Sequence, residues 1–104
     1  MIIYGIKACD TCRTARKALP DAQFVDVRED GLPQEVRDLA LETYGPQLLN
    51  TRSTTWRGLS EEERERPPAE LLADHPALMK RPLIDDGGAL YLGWSDGVRK
   101  ELGL

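Results

Sequence analysis

The chain has a single histidine and only two cysteines. A zinc site closed by protein ligands needs four, and Cys9, Cys12 and His75 fall short of that, so no metal is expected. There is no glycine-rich phosphate loop, which removes the usual nucleotide cradle, and no bound cofactor is expected. No apolar run approaches the ~20 residues a membrane-spanning helix requires. No basic block stands out, and the formal net charge is −4, so bulk attraction to nucleic acid is excluded. Internal repeats and low-complexity tracts are absent. The first apolar run begins at residue 2, leaving no room for the charged and apolar regions of a secretory signal, and a cytoplasmic location is expected.

What remains is an ordinary folding composition: 104 residues, 40% hydrophobic and 31% charged. That length fits one domain, residues 1–104, which buries roughly two-thirds of its unfolded surface and folds without staples. Within it the two cysteines stand together, as Cys9-Asp10-Thr11-Cys12, directly after the apolar run Met1-Ile2-Ile3-Tyr4. In a reducing compartment such a pair is redox-active more often than structural. If the run is a strand and Cys9 opens a helix, the unpaired N–H groups of the first turn favour a thiolate at Cys9. Cys12, one turn along, then reaches back to close a disulfide. The flanking Lys7, Asp10, Thr11, Arg13 and Arg16 are polar, which disfavours an inert buried pair. For Cys12 alone, a small packing residue remains the alternative.

The pattern along the chain supports that placement. Residues 2–6 read as a strand, and Cys9 to Leu19 as a helix with Ala15, Ala18 and Leu19 inward, stopped by Pro20. Ala22 to Val27 is a second strand, parallel to the first across a helical crossover, and Asp30-Gly31 marks its exit. From Pro33 the positions Val36, Leu39, Ala40 and Thr43/Tyr44 recur at helical spacing until Gly45. A short helical turn is expected at Pro46 to Leu49. Ser60-Glu61-Glu62-Glu63 has the form of a capping box, with Glu61 to Arg66 as a solvated helical face. Pro68 to Asp74 gives a further helix bounded by Pro76. Leu83-Ile84-Asp85 and Ala89-Leu90-Tyr91-Leu92 flank Asp86-Gly87-Gly88, a hairpin pattern, and Ser95 caps a last helix from Asp96 to Leu102. The order β-α-β, helices, β-hairpin, α is that of an α/β thioredoxin-like fold with a four-stranded mixed sheet and a helical insertion at about residues 32–76.

Four segments together carry a family resemblance: Tyr4 to Cys12, Leu48 to Arg57 with its Asn50-Thr51-Arg52-Ser53, Met79 to Ile84 with Arg81-Pro82, and Leu92 to Asp96. In this order and spacing, running nearly end to end, the chain resembles the ArsC/Spx family and within it the YffB-type small thiol reductases. The resemblance implies a thioredoxin-like fold, with Cys9 in the position of the family's nucleophilic cysteine and Cys12 as a resolving thiol. It implies glutathione, or a thioredoxin- or glutaredoxin-like donor, as the source of electrons. Arsenate reductases of the family use three arginines and a histidine four residues before the cysteine. Here those positions fall on Asn50, Arg81, Gly93 and Gly5, so only Arg81 matches. Spx-type regulators carry a redox-switching CxxC and bind the α subunit of RNA polymerase, which is the alternative reading. The sequence ends soon after the last predicted helix, without the extended basic segment expected of those regulators, and Trp56-Arg57-Gly58-Leu59 looks closer to YffB.

Each site residue has a physical role to fill. Arg81 is expected to add positive charge beside Cys9, while Asp10 partly opposes the thiolate. Pro82 resembles the cis-proline that faces the nucleophile in thioredoxin folds; without the resemblance it reads as a residue at the start of a strand. Arg52 lies in a polar, aperiodic stretch with Ser53, Thr54 and Thr55. It is either an anion clamp for a glutathione carboxylate or an oxyanion, or an exposed loop arginine. Lys7 and Arg57 are further candidates for anion binding. Trp56 and Trp94 read as packing residues and His75 as a helix-end residue.

Overall fold

The computed structural model describes all 104 residues. The elements run β1 (Ile2–Gly5), α1 (Asp10–Ala18), β2 (Gln23–Asp26), α2 (Val27–Asp30), α3 (Gln34–Tyr44), α4 (Thr54–Arg57), α5 (Glu61–Arg64), α6 (Pro68–Asp74), β3 (Leu83–Asp86), β4 (Ala89–Leu92) and α7 (Asp96–Glu101). Turns of 3₁₀ helix occupy Gly45–Leu48 and Pro76–Leu78. The chain divides into two compact units: Met1–Asp26 with Arg81–Leu104, and Val27–Lys80.

The first unit holds a four-stranded mixed sheet in the order β2-β1-β3-β4. β1 pairs with β2 in parallel, Tyr4 opposite Val25 and Gly5 opposite Asp26, and with β3 antiparallel, Tyr4 opposite Leu83. This is the thioredoxin-like arrangement the element order predicts. The β3–β4 hairpin closes through Gly87 and Gly88 at φ 62 and 99, values that glycine adopts without penalty, and the Asp85 carboxylate accepts the Gly88 N–H at 2.8 Å. Ile3, Ala15 and Ile84 form the centre of the core, with Leu19, Phe24, Tyr91 and Trp94 packed against them. Ala18, expected inward, is exposed. On a helix Cys12, Ala15 and Leu19 share one stripe, and Ala18 sits about 100° away from Leu19. Cys9 and Leu19 lie outside α1 as its caps.

In the second unit Val27, expected to end the β2 strand, instead starts α2. It is fully buried, and the Gly31 N–H bonds its carbonyl at 3.0 Å, closing the turn. This compact unit runs from Val27 to Lys80. α3 ends at Gly45, whose φ of 60 suits the stop. Leu39 is 40% exposed and Thr43 is exposed, contrary to expectation. The buried position of α3 is Ala40, with Val36, Arg37 and Tyr44 half-buried beside it, so the stripe is rotated towards the 36/37/40/44 face. Leu48, Leu49, Leu71, Leu72, Leu78 and Met79 fill the core. A short bridge pairs Leu49 with Met79 through Asn50 N–H to Leu78 O, 2.7 Å, and Lys80 N–H to Leu48 O, 2.8 Å. The stretch after Arg52 is less irregular than its composition suggests: Ser53 Oγ accepts the Trp56 N–H at 3.1 Å and starts α4. Ser60 caps α5 by accepting the Glu63 N–H at 3.1 Å. The 61–66 segment is not simply a solvated face. Arg66 bonds Glu63 at 2.9 Å and also the Asp74 carboxylate, tying α5 to the end of α6. No helix is long and apolar enough to cross a membrane.

Candidate active site

The loop from β1 to α1 is fixed by backbone bonds before any side chain acts. The Lys7 N–H donates to the Asp26 carboxylate at 2.9 Å, and the Cys9 N–H donates to Ile6 O at 3.0 Å. The Lys7 carbonyl accepts Arg13 Nε at 3.2 Å, and the Arg13 N–H closes the first helical turn on Cys9 O at 3.0 Å. Asp26 is 5% exposed and stands opposite Gly5 in the sheet register, so the end of β2 anchors the loop that presents Cys9.

Cys9 occupies the N-cap of α1 in extended backbone geometry, and its side chain makes no capping bond. Its thiol is half-buried, and Cys12 is 0% exposed. Burial pushes the Cys9 thiol up. The N–H of Cys12, the Cys12 thiol, the charge of Arg81 and the N–H of Thr11 outweigh it and hold Cys9 below its ordinary value. Cys12 moves the other way, pushed up to about 11 by burial. The Ile6 backbone N–H and Arg81 pull it down, but its bond to Cys9 and the Cys9 charge add to the rise. The two thiols thus shift in opposite directions, Cys9 favouring its anion more than an ordinary cysteine does and Cys12 less.

Asp10, expected to oppose the thiolate, is engaged elsewhere. Its carboxylate sits 3.3 Å from Arg13 Nη1 with the side chain 95% exposed, where solvent screens it. The Arg81–Pro82 peptide bond is cis, Pro82 is buried, and its carbonyl accepts the Gly93 N–H at 2.8 Å. The first unit holds Lys7, Cys9, Cys12, Arg81 and Pro82, and the Arg81 charge acts on both sulfurs. Arg52 belongs to the second unit, where it is exposed and its own N–H bonds Asn50 Oδ1 at 3.1 Å. Trp94 packs on the core, and Trp56 is half-buried beneath the Arg64 guanidinium, 5.6 Å from its ring centre. His75 caps the end of α6.

Two contributors escape a reading of the sequence. Asp26 lies 19 positions from the amide it holds, and nothing local marks it. Gly5 does carry a signal, because a glycine inside a strand often marks a close approach. A Cβ built there would lie 2.5 Å from Cys12 Sγ and 3.4 Å from the Phe24 ring.

Residues 4–101 match the ArsC family. The chain belongs to that family. The solved structure of a YffB protein shares this ArsC-family fold at a TM-score of 0.86 and 30% identity, over 96% of both chains. An arsenate reductase (ArsC) related protein from Brucella melitensis is 36% identical with a TM-score of 0.69, over 96% of this chain and 91% of that one. The regulatory protein MgsR of Bacillus subtilis is 30% identical over 93% of this chain and 85% of its own. The ArsC family thus includes relatives named for arsenate reduction and relatives named for regulation.

Proposed function

We propose that this ArsC-family protein is a thiol-dependent reductase in which Cys9 is the nucleophile, Cys12 the resolving thiol and glutathione the reductant. The observation that carries the reading is the divergence of the two sulfurs: Cys9 held below its ordinary value at a helix N-cap, and Cys12 buried beside it and pushed up to about 11. The Cys9 thiolate attacks one sulfur of a disulfide R–S–S–R′. The S–S bond breaks, R′S⁻ leaves and takes a proton from solvent, and Cys9 is left in a mixed disulfide with R. Cys9 is then uncharged, which removes two of the influences that kept Cys12 protonated, its bond to the Cys9 sulfur and the Cys9 charge. Arg81 still favours the anion. Cys12 loses its proton, attacks Cys9 and releases RS⁻, which is protonated in turn. Two glutathione molecules reduce the Cys9–Cys12 disulfide and leave as oxidised glutathione; a thioredoxin- or glutaredoxin-like protein supplies the same two electrons. Lys7, in the same unit as Cys9, serves in this proposal as a cation for a glutathione carboxylate.

Arsenate is the weaker substrate on this reading. Of the oxyanion-binding positions that the family resemblance brings, Gly5, Asn50 and Gly93 replace charged or ionisable groups. The test is NADPH consumption coupled to glutathione and glutathione reductase, with a small mixed disulfide or arsenate as substrate. Turnover of the disulfide that vanishes in Cys9→Ser and survives in part in Cys12→Ser supports the mechanism. No turnover with either substrate would overturn it.

A second reading is favoured by the identity to MgsR, which spans 93% of this chain. In it the cysteine pair is a sensor, and the partner is the α subunit of RNA polymerase. Stoichiometric, oxidation-dependent capture of the C-terminal domain of the polymerase α chain would decide for it.

A further inference from the structure

The first unit carries a charged feature that extends beyond the two thiols. The first 20 residues hold Lys7, Arg13, Arg16 and Lys17 against one acid, Asp10, in a chain whose net charge is −4. These four cations line a groove of about 730 Å³ along the outer face of α1, over the apolar surface of Phe24 and its neighbours. No carboxylate lines it, and Asp10, the nearest acid in sequence, is taken up by Arg13 at 3.3 Å. Arg16 packs over Phe24 in the groove, its guanidinium carbon 4.2 Å from the centre of the ring. Ring contact orients a guanidinium without occupying its N–H donors, so the group stays available to a carboxylate. Arg13 is held from the other side, by the Lys7 carbonyl at 3.2 Å, which joins the groove wall to the loop carrying Cys9.

On the thiol-reductase reading above, we infer that this groove docks an acidic polypeptide segment flanking the disulfide that Cys9 attacks. Charge complementarity selects the occupant, and geometry fixes its register. Lys17 stands about 12 Å along the helix axis from Cys9 at ~1.5 Å per residue. An extended peptide covers that distance in about four residues at ~3.3 Å each. The preferred substrates carry Asp or Glu within about four residues of the reacting cysteine, with an apolar side chain over Phe24. A thiolate on its own reacts more slowly with a negatively charged disulfide, so a preference for acidic peptides runs against the intrinsic chemistry and reports the groove.

The experiment is single-turnover exchange with three synthetic peptides. Each has one cysteine capped as a thionitrobenzoate disulfide, flanked by four glutamates, four glutamines or four lysines. The Cys9 thiolate attacks the peptide sulfur, the coloured thionitrobenzoate anion leaves, and its release gives the rate. For the intact protein at low ionic strength the glutamate peptide reacts roughly tenfold faster than the lysine peptide, the lower end of electrostatic steering, and the difference shrinks with added salt. Arg16→Glu with Lys17→Glu, both at exposed positions, inverts the order of the glutamate and lysine peptides, each rate being read relative to that of the glutamine peptide. Equal rates for the three peptides, or an acidic preference that survives the double reversal, would overturn the docking groove alone. A protein inert to all three would overturn the thiol reading and the groove with it.

Discussion

Gly5 and Cys12 share one space: a Cβ at position 5 would lie 2.5 Å from the Cys12 sulfur and 3.3 Å from its Cβ. Cys12 is wholly buried, so the contact is relieved only if the surrounding structure shifts. A side chain at position 5 and a thiol at position 12 are therefore alternatives. The histidine that the family resemblance puts at position 5 in arsenate reductases has no place beside the Cys12 sulfur. Gly5→Ala is expected to cost about 1–3 kcal/mol by overpacking. In a Cys12→Ala background the sulfur is gone, and the same change costs less, a coupling of at least ~0.5 kcal/mol in a urea-denaturation cycle. Strict additivity would show that the sulfur is not what fills the space.

Arg81 acts on both sulfurs, and its removal separates charge from burial. Arg81→Gln takes away a charge that lowers Cys9 while leaving the helix N-terminus in place. The pH profile of iodoacetamide alkylation is expected to shift to higher pH, with a severalfold slower rate near neutrality and convergence with the native protein in alkali. A profile unchanged by Arg81→Gln would mean that the first-turn N–H groups and Cys12 hold the thiolate unaided.

The opposed shifts of the two thiols give stability two pH windows. Cys9 binds its proton less tightly folded than unfolded, so its contribution is present above the unfolded pKa of about 8.5 and fades as pH falls through the folded value. Cys12 binds its proton more tightly when folded. From about 8.5 upward the unfolded chain ionises there while the native one does not until about 11, so stability falls through that interval. Urea titrations across the alkaline range are expected to show this decline in the native protein and a shallower one in Cys12→Ala, where Tyr4, raised by burial and by Asp85, still contributes. Mass spectrometry after alkylation near neutral pH should find the label on Cys9 and none on Cys12.

What can be read from the residues is what local chemistry writes. Ser60 and Ser95 announce their helices because a cap is a contact with the third residue on, here Glu63 and Val98. Gly87-Gly88 announces the hairpin for a similar reason, and Cys9 and Cys12 announce the site by their spacing. The misplaced residues are those whose surroundings come from afar. Val27 has a strand-former's side chain but is claimed by a buried helical turn, and Leu39 is apolar yet sits on the solvent side of α3 because Ala40 makes the contact. The Gly5–Cys12 contact joins a strand to the next helix, and the Asp26–Lys7 bond joins the ends of two neighbouring strands. Neither has a periodicity to betray it. Asp10 misleads for the opposite reason: its carboxylate is solvent-exposed and paired with Arg13, one turn on, which weakens the opposition that adjacency in sequence suggests.

The Asp26–Lys7 bond yields the last prediction. Asp26 is 5% exposed, and its carboxylate accepts the Lys7 N–H at 2.9 Å, two residues before the nucleophile. Removing the acceptor strands a backbone donor, which costs about 1–3 kcal/mol when the donor is kept from water. The loop can recover that only by opening towards solvent, and opening carries Cys9 away from the N–H groups of Thr11 and Cys12 that favour its thiolate. Asp26→Ala is therefore expected to speed hydrogen exchange at the Lys7 amide and to move the Cys9 alkylation profile to higher pH. Asp26→Asn keeps an oxygen for the same N–H and is expected to retain most of the protection. If both variants exchange alike at Lys7 and leave the Cys9 profile where it was, the bond to Asp26 does not position the nucleophile.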